Sequence, residues 1–134
     1  MTPIVLVCEH TELNEAATTL AASLGLDCVN QIPDDADLIL ALNPDGLSLL
    51  RPQDKKMGAL KVDFTDGALT WRRNHGGGTG QAIAKAIGLK SKKNLSVLDA
   101  TAGTGTDSFV LAALGCQVQM IERHPIVAAL LQDA

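Results

Sequence analysis

Apolar positions along this chain change period several times, and each change marks an element. Residues 4–7 form a continuous apolar run too short for a helix, which predicts a buried strand. Leu13, Ala17, Leu20 and Leu24 then recur at helical spacing. Thr11 is a candidate cap for that helix and Gly25 its stop. Residues 26–29 and 38–42 read as two further strands. Asn43-Pro44-Asp45-Gly46 is a turn, and residues 47–50 are the return strand. Over 59–64 the period becomes two, with Leu60, Val62 and Phe64 on one face. Asp66-Gly67 is a favoured two-residue hairpin turn. That register sets Phe64 opposite Leu69 and Val62 opposite Trp71, and a slip of one residue would destroy it. A helix over 81–87 is ended by Gly88. The chain then reads as strand (Leu95, Val97, Leu98), helix (108–114, closed by Gly115) and strand (116–121). Pro125 suits a helix start, and 126–131 continue that helix. Strands alternating with helices predict an α/β fold.

The stretch from Val97 to Arg123 carries the most chemistry. Asp99 stands at the carboxyl end of one strand and Glu122 at the end of the next. Gly103 and Gly105 lie in the turn between strand and helix, where a missing Cβ lets backbone approach a ligand. Open α/β sheets bind ligands beyond the carboxyl ends of their strands. A carboxylate such as Glu122 offers only acceptors, so it can take both hydroxyls of a ribose. An adenosine-bearing cofactor follows. The dinucleotide fingerprint requires a third Gly or Ala, and Ser108 occupies that position. Dinucleotide binding, as in an NAD-type Rossmann oxidoreductase, and a ligand-free βαβ unit remain as alternatives.

Composition narrows the picture. The 134 residues suit one ordinary domain or slightly more. With 46% hydrophobic residues but only Trp71, Phe64 and Phe109 aromatic, the core must be aliphatic. No apolar run approaches the roughly 20 residues of a membrane span. Cys8, Cys28 and Cys116 sit in or beside apolar runs with no Cys-x-x-Cys, so reduced thiols in a cytoplasmic protein are expected. His10, His75 and His124 are scattered and suggest no metal site. Net charge is −4, unevenly spread: −8 over residues 1–50, +7 over 51–93 and −3 over 94–134. Local basic charge allows a nucleic-acid partner despite the acidic total. In the hairpin register Lys61 faces Arg72, a like-charge pair that an intervening phosphate would relieve. Two solvated side chains are the plainer reading. The glycine run 76–80, before a helix, is either an anion site or a hinge. A domain boundary is placed near residue 93.

Strand-Asp99-x-x-x-Gly103-x-Gly105 resembles the first motif of class I S-adenosylmethionine-dependent methyltransferases. That cofactor has no pyrophosphate, and its ammonium and sulfonium favour nearby carboxylates such as Asp99 and Asp107. Two longer segments are similar to bacterial small-subunit ribosomal RNA guanine-N2 methyltransferases of the RsmJ type. One is Asp66-Gly-Ala-Leu-Thr-Trp-Arg-Arg-Asn-His-Gly-Gly-Gly-Thr-Gly-Gln-Ala-Ile-Ala-Lys-Ala-Ile-Gly. The other is Asp99-Ala-Thr-Ala-Gly-Thr-Gly-Thr-Asp with Glu122-Arg123 downstream.

The resemblance implies a small N-terminal α/β domain with a β-hairpin (1–93), then the first βαβ unit of a class I, Rossmann-like methyltransferase domain (94–134), truncated. It implies methyl transfer from S-adenosyl-L-methionine to the exocyclic N2 of a guanine in small-subunit rRNA, with the rRNA or ribosomal subunit as partner and no metal. Cofactor contacts carry over to Thr106, Asp107, Glu122 and Arg123. Thr106 and Thr79 stand where the family pattern has arginine. Arg72, Arg73 and Lys61 are the candidate RNA-binding residues. The residues that hold the target base are expected beyond Ala134, so the chain alone is expected to be inactive. A non-catalytic nucleic-acid-binding module is the alternative from a different class.

Overall fold

The structure is a computed structural model, and it describes residues 3–65, 78 and 81–134. The chain divides into two compact units, Met1–Val62 with Gln132–Ala134, and Asp63–Leu131.

The first unit is built on a four-stranded sheet. Strand β1 (Val5–Val7) leads through a 3-10 turn (Thr11–Leu13) into helix α1 (Asn14–Leu24), then β2 (Cys28–Val29), β3 (Ile39–Asn43) and β4 (Gly46–Leu50). The spatial order is β2-β1-β3-β4. β1 lies parallel to both β2 and β3, while β3 and β4 form an antiparallel hairpin with Asn43 opposite Gly46. Alternation along the strands splits the apolar set between two faces. Val7, Ile39 and Ala41 pack with Ala36, Val5, Val29 and Leu50 on one side. Leu6, Leu40 and Leu47 point to the other and are fully or almost fully buried.

Local chemistry explains where element ends depart from the apolar pattern. Thr11 makes no capping hydrogen bond; α1 is entered through the 3-10 turn, with Leu13 at its N-cap position. The buried positions of α1 are Ala17 and Ala21, with the leucines beside them only half-buried. At the other end Gly25 is left-handed (φ +66°). Its N–H donates to the Ala22 carbonyl at 3.3 Å, and the Leu26 N–H donates to Ala21 at 2.9 Å. This pair of bonds is a Schellman closure. Because Leu26 serves the helix end, β2 is shorter than the strand expected over 26–29.

Among the described residues, the expected strand over 59–64 pairs through an antiparallel bridge, Leu49 to Leu60, with reciprocal N–H···O bonds of 2.9 and 2.7 Å. Beyond it, Asp63 Oδ1 accepts the Thr65 N–H at 2.8 Å, an Asx turn. The return strand and the Lys61–Arg72 pairing lie outside the described residues.

The second unit contains α2 (Ala82–Ala86), β5 (Ser96–Asp99), α3 (Thr106–Ala113), β6 (Gln117–Met120) and most of α4 (Pro125–Asp133). β5 and β6 pair in parallel, with Val97 beside Val118 and Asp99 beside Met120. Ala84, Leu89, Leu111 and Cys116 form the core, joined by Ile83, Ile87, Leu95, Val97, Leu114 and Val118. Helices α2 and α3 thus cover the Val97/Val118 face. Leu98, Met120 and Ile121 stay exposed.

Leu40→Ala removes a side chain with no solvent exposure at the centre of the first sheet. It is expected to lower the unfolding free energy by about 2–5 kcal/mol. Leu98→Ala, at a residue 59% exposed, is expected to stay within about 0.5 kcal/mol. Urea titrations of both variants against the parent check the pair.

A candidate cofactor cleft at the carboxyl ends of β5 and β6

The parallel ladder does not stop where the strands end. The Ile121 N–H donates to the Asp99 carbonyl at 2.8 Å, and the Ala102 N–H donates to the Ile121 carbonyl at 3.1 Å. The next link uses a side chain: the Gly103 N–H donates to Glu122 Oε2 at 2.9 Å. The other oxygen, Oε1, accepts the His124 N–H at 2.9 Å. Asp99 and Glu122 therefore stand at the same rim of the sheet, with the glycine turn drawn over them.

These bonds also set the charge on Glu122. Its carboxyl is held below its ordinary value of 4.5, first by the His124 N–H and then by the Gly103 N–H. The Arg123 N–H and positive charge on His124 act in the same direction, and partial removal from water opposes them. An N–H donor aimed at a carboxylate stabilises its charged form.

The two glycines differ in what surrounds them. Gly103 is left-handed (φ +54°), and a Cβ there would meet nothing within 4 Å. Gly105 is also left-handed (φ +74°) but buried. A Cβ on it would lie 2.7 Å from Leu131 Cδ1 and 3.0 Å from Phe64 Cζ. The Phe64 ring stacks on Phe109, centroids 5.1 Å apart and nearly parallel. Of the two, only Gly103 leaves open space where its Cβ would be. The absent side chain of Gly105 serves packing and the left-handed entry to α3, where it is the N-cap residue.

Beside the turn lies a cleft of about 570 Å³, a size common among small-molecule sites. Its polar wall comes from Asp99, Thr101, Thr104, Thr106, Asp107 and the backbone of Gly103; its apolar wall comes from Ile83, Ile87, Val97, Leu98 and Leu111. Of the residues singled out in the sequence, Asp99, Gly103, Thr106 and Asp107 line this cleft. Glu122 borders the turn through Gly103 without lining the cleft. Gly105 is turned into the packing, and Arg123 is exposed beyond the β6 tip. Lys61 lies in the first unit, its ammonium donating to the Asp45 carbonyl. Arg72 and Arg73 lie outside the described residues. The sequence reading missed Ile83 and Ile87, whose helical spacing was legible but whose destination was not.

The donor set decides what fits. Two carboxylates on the polar wall oppose a pyrophosphate and favour a cationic group. The apolar wall suits a flat heterocycle or a thioether chain. Among the described residues there is no group of three or more His, Cys, Asp or Glu able to hold a metal ion, and no helix is long and apolar enough to cross a membrane.

Known proteins resemble this chain. A family model described as "Putative SAM-dependent methyltransferase" matches residues 19–134. The Ribosomal RNA small subunit methyltransferase J of Photorhabdus laumondii is 48% identical over 130 residues, covering 97% of this chain and 51% of that protein. The protein of the same name in Pseudomonas syringae pv. tomato is 53% identical over 119 residues, covering 89% and 43% respectively. A crystal structure of a SAM-dependent methyltransferase from Neisseria gonorrhoeae superposes with a TM-score of 0.70 at 38% identity, over 98% of this chain and 50% of that one. The chain spans about half the length of the curated relatives it matches. With the acidic strand tips, the open glycine turn and these relatives together, the chain belongs to the family of putative SAM-dependent methyltransferases.

Proposed function

We propose that this chain forms part of an enzyme that transfers a methyl group from S-adenosyl-L-methionine to the exocyclic N2 of a guanine in small-subunit rRNA. The observation that carries the reading is the shared rim: Asp99, the open Gly103 amide region and Glu122 gathered at the carboxyl ends of two parallel strands. Relatives named for small-subunit rRNA methylation support the substrate class.

Each residue then has a role set by its chemistry. Glu122, already turned toward Gly103, keeps a further lone pair on each oxygen for ribose hydroxyls. Asp99 and Asp107 face the cationic part of the cofactor, and Thr106 and Arg123 flank the same end. Ile83, Ile87 and Leu111 exclude water from the apolar wall. The cofactor supplies an electrophilic methyl on a positively charged sulfur. The protein's contribution to rate is largely orientation of the reactants. Residues 1–93 are proposed as a small domain and 94–134 as the start of the cofactor domain. Arg72, Arg73 and Lys61 are proposed to contact phosphate. Residues holding the target base are proposed to lie outside this chain, so the 134 residues alone are expected to give no turnover on small ribosomal subunits. Methylation by the purified chain would refute that.

Calorimetry with S-adenosylmethionine tests the cleft. Glu122→Ala removes two charge-assisted acceptors and is expected to weaken binding by roughly tenfold or more. Equal affinity for the two proteins would remove the ribose assignment.

A pH series tests the carboxylate itself. Because the folded-state value of Glu122 is depressed, its stabilising effect is fully present above the ordinary value. The effect is lost as pH falls through the lower, folded value. Unfolding midpoints are therefore expected to hold at neutral pH and decline below pH 4.5. Glu122→Gln should flatten that decline, and a parent and variant with the same acid limb would contradict it.

A further inference from the structure

In the sequence, Ser108 breaks the dinucleotide fingerprint. In the structure it is among the most buried polar residues, 2% exposed. A buried hydroxyl needs an acceptor. In a helix, serine often returns its proton to the carbonyl one turn earlier. Ser108 instead reaches from α3 to the tip of β5, where its Oγ donates to Asp99 Oδ2 at 2.6 Å. That length suits a hydroxyl bonded to a charged carboxylate. The other oxygen, Asp99 Oδ1, accepts the Thr101 N–H at 3.2 Å. Asp99 is thus gripped at both oxygens, from the helix on one side and the turn on the other, and it lines the cleft.

We propose that Ser108 is a positioning residue for the methyl-donor site, holding Asp99 in the rotamer that presents its carboxylate to the cofactor's cationic end. This rests on the cofactor reading of the cleft. An aspartate free to rotate would have to be ordered when the ligand arrives, and that ordering opposes binding. With Ser108 in place the ordering is complete beforehand. Ser108 itself touches no ligand, and its effect runs entirely through Asp99.

A double-mutant cycle separates this role from simple packing. Ser108→Ala is expected to weaken S-adenosylmethionine binding by roughly tenfold in the parent. In the Asp99→Ala background it is expected to add no further loss. Ser108→Cys, close in volume with a weaker donor, should fall between. The second readout needs no ligand. Three-bond NMR couplings across the Asp99 Cα–Cβ bond should report one χ1 rotamer in the parent and averaging in Ser108→Ala. Equal losses in both backgrounds, or a single fixed Asp99 rotamer in Ser108→Ala, overturn the proposal. Absence of binding by every protein, parent included, would instead defeat the cofactor reading. The couplings would then still decide whether Ser108 fixes Asp99.

Discussion

The parallel register of β5 and β6 is the constraint on which the site depends. With Asp99 beside Met120, the strand ladder continues past both ends. The Asp99 and Ile121 carbonyls each accept an amide from the opposite segment, and the Glu122 carboxylate takes the next one. A backbone ladder has no partner to offer once the chains diverge, and an unpaired amide near a strand tip is costly. Here a side chain supplies the missing acceptor. The glycine turn is consequently anchored to the following strand as well as to its own helix. A slip of one residue would send Val118 to the face opposite Val97, separating the two strand tips from the register that joins the turn to Glu122.

Packing behind the turn explains why the two glycines are not equivalent. Phe64 and Phe109, two of only three aromatic residues in the chain, stack against each other beside Gly105. Neither ring lines the cleft. Gly103 has no such neighbour, which leaves one side of the turn open. The turn thus meets an aromatic ring at Gly105 and a carboxylate at Gly103.

Much of this was legible in the sequence because it depends on short-range pattern. The apolar runs located every described strand, and Gly25, Gly88 and Gly115 marked helix ends through their left-handed geometry. The acidic residues at the two strand tips followed from strand length alone. What escaped detection depends on which neighbour wins a hydrogen bond. Leu26 was drawn to the end of α1, away from β2, and Thr11 was bypassed by a 3-10 entry. Asp63 took the Thr65 amide just before the expected Asp66-Gly67 turn. Gly105 looked like a ligand-facing glycine because its packing partners, Phe64 and Leu131, come from distant positions. Ser108 looked like a defect in a motif because its partner, nine residues away, is a carboxylate and not backbone.

The cleft also draws on residues from both sides of the division that composition suggests near residue 93. Ile83 and Ile87, on a short helix that precedes β5, make much of the apolar wall, while the polar wall belongs to β5 and the turn after it. This has an electrostatic consequence. Apolar side chains beside a carboxylate strengthen its attraction for a cation and its repulsion of an anion; half-buried Asp99 is placed to gain from this, while Asp107 is exposed. The same carboxylates set in open water would discriminate weakly. On the proposed cofactor reading, selection between a sulfonium cofactor and a pyrophosphate-bearing one would draw on both the acidic strand tip and the helix before it. A change at Ile83 or Ile87 that admitted water would erode it without touching any charged residue.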